Sequence, residues 1–519
     1  MTTVTPLKKL RRLITENLRV QKGGGAAVAY IDSGNALDDA AARQNHVIFG
    51  RRGCGKSLLL NQSAKSLPKS IRPMYLNCED FKRHTFPNVL IEILDAVFGE
   101  FEQKWFAWFG KKKRSRELIN EIRQELSKLK LDDDEREESV RELEGVTATR
   151  ESSAKLSGGT SGGGNMVQLG VDQRRIAAVT SELERQYKTR DVKLDTLNRM
   201  LPARKRKLKE LFDLSSTTES VFIQVDDFYH LRRVDQPHVM DYLHRLCKDL
   251  PLYFKVATLR HASVLFAERD GQPTGAQERH DYQPIDVDFT FENFRRTERQ
   301  LGQIFNEFGR LASFDKSITE TLFKGEGFRR LIMAGGGVPR DCLSLFLAAL
   351  DQVKDGDGKI GKDDVRQLSL TTFDRRIEDL KQDAQSDEQD DLLRGIYAVR
   401  AFCMEKKTNV FLMEEKLLRE DPRARQLIYR LLDYRIIHSV AGATTHKTEK
   451  GIFHIFAIDV GCYANMRKLD GRFNEIDVSD NDAKERSRSS PVLTTDILQT
   501  RWADAPNNVE GALRAADKD

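Results

Sequence analysis

Cysteine is scarce in this chain: six in 519 residues, at positions 54, 78, 247, 342, 403 and 462, with no C-x-x-C pair among them. That spacing offers neither a disulfide framework nor a zinc site, and it suits a reducing cytoplasm. No apolar run approaches the length needed to cross a bilayer, so no membrane partner is expected. The N-terminal "MTTVTPLKKLRRLITENL" is basic but has no long apolar core and no small-residue cleavage site. It therefore reads as a surface helix or partner-binding arm rather than a secretory signal. A strong charge of one sign is also missing. The 85 Lys and Arg against 80 Asp and Glu leave a net charge of +5, slight for this length, so only local basic clusters point to nucleic acid. With 39% hydrophobic and 32% charged residues, the chain reads as globular, with room for about two to four domains.

Glycine, by contrast, is concentrated in one informative place. His46 to Leu60, "HVIFGRRGCGKSLLL", sets Gly50, Gly53 and Gly55 between two apolar runs and fits G-x-x-x-x-G-K-[ST]. "HVIF" reads as a short buried strand, and "KSLLLNQSAKSL" as a helix whose N-terminus favours anions. Glycines there let backbone N–H groups approach phosphates closely. The expected cradle is Gly50, Arg51, Arg52, Gly53, Cys54, Gly55, Lys56, Ser57 and Leu58. Lys56 would bond the β and γ phosphates of ATP, and the Ser57 hydroxyl would hold Mg2+. The second half of such a site is an acidic group at the end of a neighbouring strand. "SVFIQVDDFYHL" supplies Asp226, expected to contact magnesium through its water shell, and Asp227, expected to orient or deprotonate the hydrolytic water.

The order and content of these strand ends resemble AAA+ ATPases of the initiator type, among them origin-recognition and replication-loader proteins, and their STAND relatives. The resemblance implies an α/β P-loop NTPase with a three-layer core and a helical lid. In "RPMYLNCED", Asn77 matches a polar residue that senses the catalytic acid in that family. "YFKVATLRH" resembles the sensor 1 strand, with Thr258 and Arg260 at its end, an ending closer to the STAND type. "QPIDVDFTFENF" resembles the fifth core strand, and "AGGGVPRDCLSLFLAAL" the sensor 2 segment, with Arg340 placed to reach the γ phosphate. An arginine donated by a neighbouring subunit would be Arg269 or Arg279. The family usually has Glu where Asp227 stands, one methylene shorter, which bears on the hydrolysis rate.

Between Asp80 and Ser220 the chain carries far more than a strand-to-strand connection needs. "TFPNVLIEILDAVFGEFEQKWFAWFG" reads as a core helix whose Trp105, Phe106, Trp108 and Phe109 pack inward or meet a partner. Two charged helical stretches follow, Lys111 to Glu144 and Arg174 to Phe212, separated by the linker "ESSAKLSGGTSGGGNMVQLG". Together they predict a projecting helical hairpin. The runs "KKKRSR" and "RKRKLK" at its base are either phosphate contacts or solvated helix faces.

Beyond the lid, "LLRGIYAVRAFCMEK", "VFLMEEKLLRED" and "ARQLIYRLLDYRII" read as three helices, and "IHSV" with "GIFHIFAI" as a β hairpin: a winged helix. Arg423, Arg425, Arg430, Lys447 and Lys450 would then face double-stranded DNA, unless the module senses the nucleotide instead, as in STAND proteins. The expected layout is an N-terminal arm at 1–25 and the ATPase core at 26–290, with the hairpin inserted at about 100–214 and its flexible tip at 146–170. The lid follows at 291–385, the winged helix at 386–468 and a polar, disordered tail at 469–519. The expected function is an ATP-hydrolysing switch acting with DNA, with copies of itself or with an effector protein. The plan resembles bacterial ATPases encoded with effectors in antiphage systems. The alternative is an initiator-like DNA scaffold that holds ATP structurally.

Overall fold

Strands buried at every position do not alternate in hydropathy, and that is how β1 (His46–Phe49) and β3 (Ser220–Asp226) read. Such strands belong to parallel sheets covered on both faces. In the computed structural model of the chain, residues 5–18, 28–32, 34–105, 112–130, 192–215, 217–269, 271–352, 358–384, 388–464 and 473–515 are described. β2 is Ile71–Asn77 and β4 is Leu252–Thr258; an antiparallel ribbon of β5 (Phe266–Arg269) and β6 (Gln272–Gly275) precedes β7 (Gln283–Asp286). Five strands form one parallel sheet in the order β2-β3-β4-β1-β7. The helix Lys56–Ser66 packs with Ile48, Ala257 and Ile285 on one face. Helices Asn88–Trp105 and Gln236–Cys247 pack with Val47, Ile223 and Val256 on the other. The result is three layers. β1 lies between β4 and β7, and the crevice beyond its carboxyl end is where open α/β sheets take ligands.

The inserted helices do not project in their described parts. Ile119, Ile122 and Leu126 of Lys112–Lys130, with Leu197, Leu201 and Leu208 of helix 192–214, complete the core on the second face. Part of the basic runs is spent there. Arg204 is fully buried and donates to the Tyr242 hydroxyl (2.7 Å), while Lys207 pairs with Glu121 and Glu125 (3.0 and 2.9 Å). Arg114 pairs with Glu210 at 2.8 Å. The hairpin tip at 146–170, Phe106, Trp108, Phe109 and the side chain of Trp105 lie outside the described residues.

In the C-terminal half, one apolar core runs from Leu10 to Leu513. The N-terminal helix Pro6–Asn17 is not a free arm: Leu10 and Ile14 are buried in this core, in contact with helix Phe294–Leu311. Helices Gly327–Ala334, Pro339–Gln352 and Lys362–Asp383 share it with helices Gln389–Glu405 and Pro422–Asp433. "VFLMEEKLLRED" is not one helix. Val410–Glu414 is strand β8, buried at four of its five positions, and only Glu415–Glu420 is helical. β8 pairs antiparallel with β10 (Phe453–Ile458), which also pairs with β9 (Ile437–Thr444). Residues 473–515, expected to be disordered, instead cover the other edge of β8. Leu412 N–H donates to the Pro491 carbonyl (2.9 Å), and Leu493 N–H to the Leu412 carbonyl (2.8 Å). An open strand edge needs such a cover. Leu493, Leu498, Val509 and Leu513 are all buried, so a few well-spaced apolar side chains outweigh a polar average.

Two outcomes are expected. Removing residues 473–519 strips those four side chains, each worth about 1.5–3 kcal/mol of burial, so the C-terminal module becomes protease-sensitive and melts early in urea. Secondly, Lys255 lies buried on β4, donating to the Ala42 and Gln44 carbonyls (2.6 and 2.8 Å), and burial lowers its pKa to about 7. The unfolded chain then binds the extra proton between about pH 7 and 10.5, so stability rises with pH across that window. Denaturant midpoints should show this rise in the wild type and a flatter profile in Lys255→Met.

Candidate phosphate-binding site

The loop from Gly50 to Gly55 turns at the carboxyl end of β1 straight into the N-terminus of helix Lys56–Ser66. Two of its residues must be glycine for steric reasons. Gly53 (φ +93°) and Gly55 (φ +96°) lie in the left-handed region, and a Cβ at Gly53 would come within 2.9 Å of Arg340 Cβ. The Lys56 side chain folds back into the loop, where its Nζ donates to the carbonyls of Gly50 (2.7 Å) and Arg51 (3.2 Å). Ser57 and Leu58 follow in the first turn, both half-buried.

β3 delivers the acids. Asp226 is 1% exposed, and its carboxylate accepts hydrogen bonds from Tyr75 Oη (2.7 Å) and the Asp227 N–H (2.9 Å), with the Ser57 hydroxyl on the same side of the site. Burial and the charge of Asp227 push its pKa up, while the hydroxyls of Ser57 and Tyr75 and the charge of Lys56 pull it down. Asp227 takes left-handed backbone (φ +50°, ψ +42°), a conformation that Asp tolerates and that recurs at functional sites. Gln224, two residues earlier on the same face, donates to the Leu60 carbonyl (2.9 Å) and fixes the loop's helix to the strand that carries Asp226.

The structure thus brings together Lys56, Ser57, Asp226 and Asp227, and it redistributes the other expected residues. Asn77 stands opposite Asp226 in the β2–β3 register, but its side chain accepts from Glu79 N–H (3.0 Å) and caps the turn Cys78–Phe81. Tyr75 reaches Asp226 in its place. Arg260 stacks on Phe49 (4.1 Å) and pairs with Glu278 (3.3 Å) and Asp286 (3.6 Å), so its charge is answered by carboxylates. Thr258 is buried against Ser263. Arg279 sits in a turn with φ +67°, and the Arg269 side chain lies outside the described residues.

Arg51 and Cys54 are not phosphate contacts through their side chains. Arg51 is buried and grips both oxygens of Asp288 (2.7 and 2.9 Å), whose carboxylate also accepts from the Arg51 N–H (3.2 Å) and the Cys54 thiol (3.2 Å). Burial opposes the charge on Asp288, but Arg51 holds its pKa below the ordinary range. Arg51 Nη1 also donates to His438 Nδ1 (3.3 Å), while His438 Nε2 faces Asp459 (3.2 Å). Burial and the neighbouring arginines push the His438 pKa far down, so the ring is neutral and its Nε2–H donates. Arg52 lends its carbonyl to Arg435 (3.4 Å), and its guanidinium lies 3.8 Å from Asp379. Arg435 in turn pairs with Asp341 (2.7 Å) and Asp379 (2.9 Å).

Arg340 lies over Gly53, and its N–H points at the Gly53 carbonyl (3.4 Å). Burial and the nearby charges of Arg435 and Arg52 lower its pKa, with Asp341 opposing. A guanidinium under that pressure is stabilised by an anion. No group of three or more His, Cys, Asp or Glu able to hold a metal occurs among the described residues. Ser57 and Asp226 alone suit Mg2+, which typically takes one or two protein ligands and completes its shell with water and phosphate.

Taken together, the fold and site define a parallel α/β protein with a glycine-rich anion cradle at the sheet's carboxyl edge. No protein family and no curated protein matches the chain. Among solved structures, Drosophila ORC bound to DNA is similar at 12% identity, with 90% of this chain and 93% of that one covered and a TM-score of 0.33. A Thermotoga maritima RuvB mutant is similar at 11% identity, with 51% and 74% covered and a TM-score of 0.23. Likenesses this distant assign no family.

Arg435→Ala leaves Asp341 and Asp379 without their shared cation. The expected cost is about 3–5 kcal/mol, read as a lower denaturant midpoint.

Proposed function

We propose that this chain is an ATP-binding and ATP-hydrolysing switch of the AAA+ kind, with initiator-like and STAND-like features, in which a winged-helix module senses the state of the phosphate loop. The observation that carries this reading is that charged and polar groups from three parts of the chain converge on one loop. Asp288, at the end of the core, holds Arg51; Arg340 from the lid covers Gly53; and His438 and Arg435 from the C-terminal module bond Arg51 and the Arg52 carbonyl. A ligand that changes the loop changes what each part bonds.

In this reading the loop N–H groups, Lys56 and Arg340 bind the phosphates, and Asp227 orients the attacking water and takes its proton. Magnesium, held by Ser57 and Asp226 when bound, supplies positive charge to the phosphate oxygens. Catalysis is positioning and charge stabilisation, as phosphoryl transfer requires.

DNA is the second partner this reading allows. Arg423, Arg425 and Lys450 are exposed, and Lys447 is paired only loosely with Glu485 (3.6 Å). Arg430 is withdrawn, being buried against Glu388. The far end of the same helix is docked on the core: Tyr429 stacks on His261 (4.7 Å), and Asp433 accepts from the N–H groups of His261 (2.8 Å) and Ala262 (2.6 Å). Engagement of a major groove by this helix therefore requires undocking, which ties DNA binding to the loop's state. Self-association, an effector partner and a role in antiphage defence belong to the same proposal and rest on the resemblance of the domain plan alone.

The test is ATP turnover by the full chain with and without double-stranded DNA. Lys56→Ala should abolish turnover, and Asp227→Asn should lower it by about 10²–10⁴-fold while ATP still binds. Stimulation by DNA that fades with salt supports the coupled switch. Tight ATP binding with no turnover in either condition favours the scaffold.

A further inference from the structure

The parallel register of β2 on β3 sets Tyr75 opposite Gln224 and Asn77 opposite Asp226. Strand geometry puts Tyr75 and Asn77 on one face, the face that carries the loop's helix. Asn77 is spent on its cap, whereas the phenol of Tyr75 extends one residue pair along the sheet and donates to Asp226 Oδ2 at 2.7 Å. The other oxygen, Oδ1, accepts from the Asp227 N–H at 2.9 Å. With a donor on each oxygen, the carboxylate plane cannot turn about its χ2 bond without breaking one of them. The Tyr75 ring packs against the apolar cluster beneath the loop's helix, so the hydroxyl is held in place by the same layer that positions Lys56 and Ser57.

We infer that Tyr75 is a positioning residue for the divalent cation: it fixes the Asp226 carboxylate in the orientation that, with Ser57, receives magnesium alongside the nucleotide. This rests on the nucleotide reading above. Groups that bond a metal's ligands, rather than the metal, typically contribute 10–100-fold in metal affinity. A phenol suits this task because it donates to the carboxylate without adding a charge that would compete with the cation. Replacing it with phenylalanine keeps the ring and its packing and removes only the donor.

The experiment is calorimetric titration of ATP into the full-length wild type and Tyr75→Phe, first in EDTA and then over a series of magnesium chloride concentrations, with melting curves of both proteins. The expected result is an unchanged melting temperature to within a few degrees and equal ATP affinity in EDTA. The magnesium concentration giving half the maximal enhancement of ATP binding should rise about tenfold in Tyr75→Phe. An unchanged magnesium midpoint overturns the inference. So does an equal loss of ATP affinity with and without magnesium, which marks a purely structural tyrosine. If Tyr75→Phe melts early, the titrations are run below its transition, and the same two readings decide. A wild type that takes up no ATP in either condition overturns the nucleotide reading itself, a result separate from an unchanged midpoint.

Discussion

The buried pair between Arg51 and Asp288 is the constraint on which the rest of the site depends. It joins the second residue of the phosphate loop to the segment just after β7, and it lies under the loop rather than at its mouth. Because the guanidinium spans both carboxylate oxygens, the loop's path is set by a planar, bidentate contact rather than by a flexible point charge. Another N–H of Arg51 extends the connection to His438, and from there it continues through Asp459 to Arg376, whose guanidinium also donates to the Arg435 carbonyl (2.7 Å) and the Ala334 carbonyl (2.9 Å). Arg435 closes the circuit through Asp341, Asp379 and the Arg52 carbonyl. The loop is thus bordered by charged and polar groups from the segment after β7, from helices Pro339–Gln352 and Lys362–Asp383, and from β9 with the segment before it.

The helices that carry Arg340, Asp341 and Asp379 share one apolar core with the C-terminal elements that carry Arg435 and His438. A separate lid would place Arg340 and Asp341 independently of Arg435 and His438, whereas here all four are carried on elements packed into the single cluster from Leu10 to Leu513. The N-terminal helix and residues 473–515 strengthen the same body from outside: the first through Leu10 and Ile14, the second by closing the edge of β8. The body that meets the loop is therefore large and stiff, and small changes at the loop move all of it or none of it.

What the sequence revealed, and what it hid, follows the range of the interactions. The loop, Lys56, Ser57 and the paired aspartates are legible because their chemistry is local: a strand, a turn and a helix start within fifteen residues say what they do. β1 and β3 are legible for the same reason, as apolar runs, whereas β2, β4 and β7 (QPID, with one buried position) are placed only by the resemblance of their strand ends. Arg51 is not legible, since nothing near it shows that its partner is Asp288, 237 positions away. Tyr75 is hidden too, because only the register of β2 on β3 brings its hydroxyl to Asp226, and Asn77 at the strand's end is the more conspicuous polar residue. From sequence β8 reads as helix because "VFLM" runs directly into a true helical stretch, leaving no break in the pattern to mark the change of period. Residues 473–515 read as disordered because composition averages over a segment, while burial counts only the few side chains that find a partner.

A ring of buried ions is a poor device for stability. Placing a guanidinium or a carboxylate out of water costs several kcal/mol per ion, and the attraction between partners only roughly offsets it. Deleting one partner is therefore expensive, because the other stays buried and unpaired. Separating the whole interface is different: every ion returns to water together, the desolvation cost is recovered on both sides, and the net change is small. The contacts of Arg51 with the neutral His438 ring and of Arg435 with the Arg52 carbonyl cross between the loop and the C-terminal body, and parting them breaks hydrogen bonds but no ion pair. The ion pair of Arg51 with Asp288 stays within the core. In the nucleotide-binding reading, an anion beside Gly53, Lys56 and Arg340 adds negative charge where Arg52, Arg340 and Arg435 already share Asp341 and Asp379.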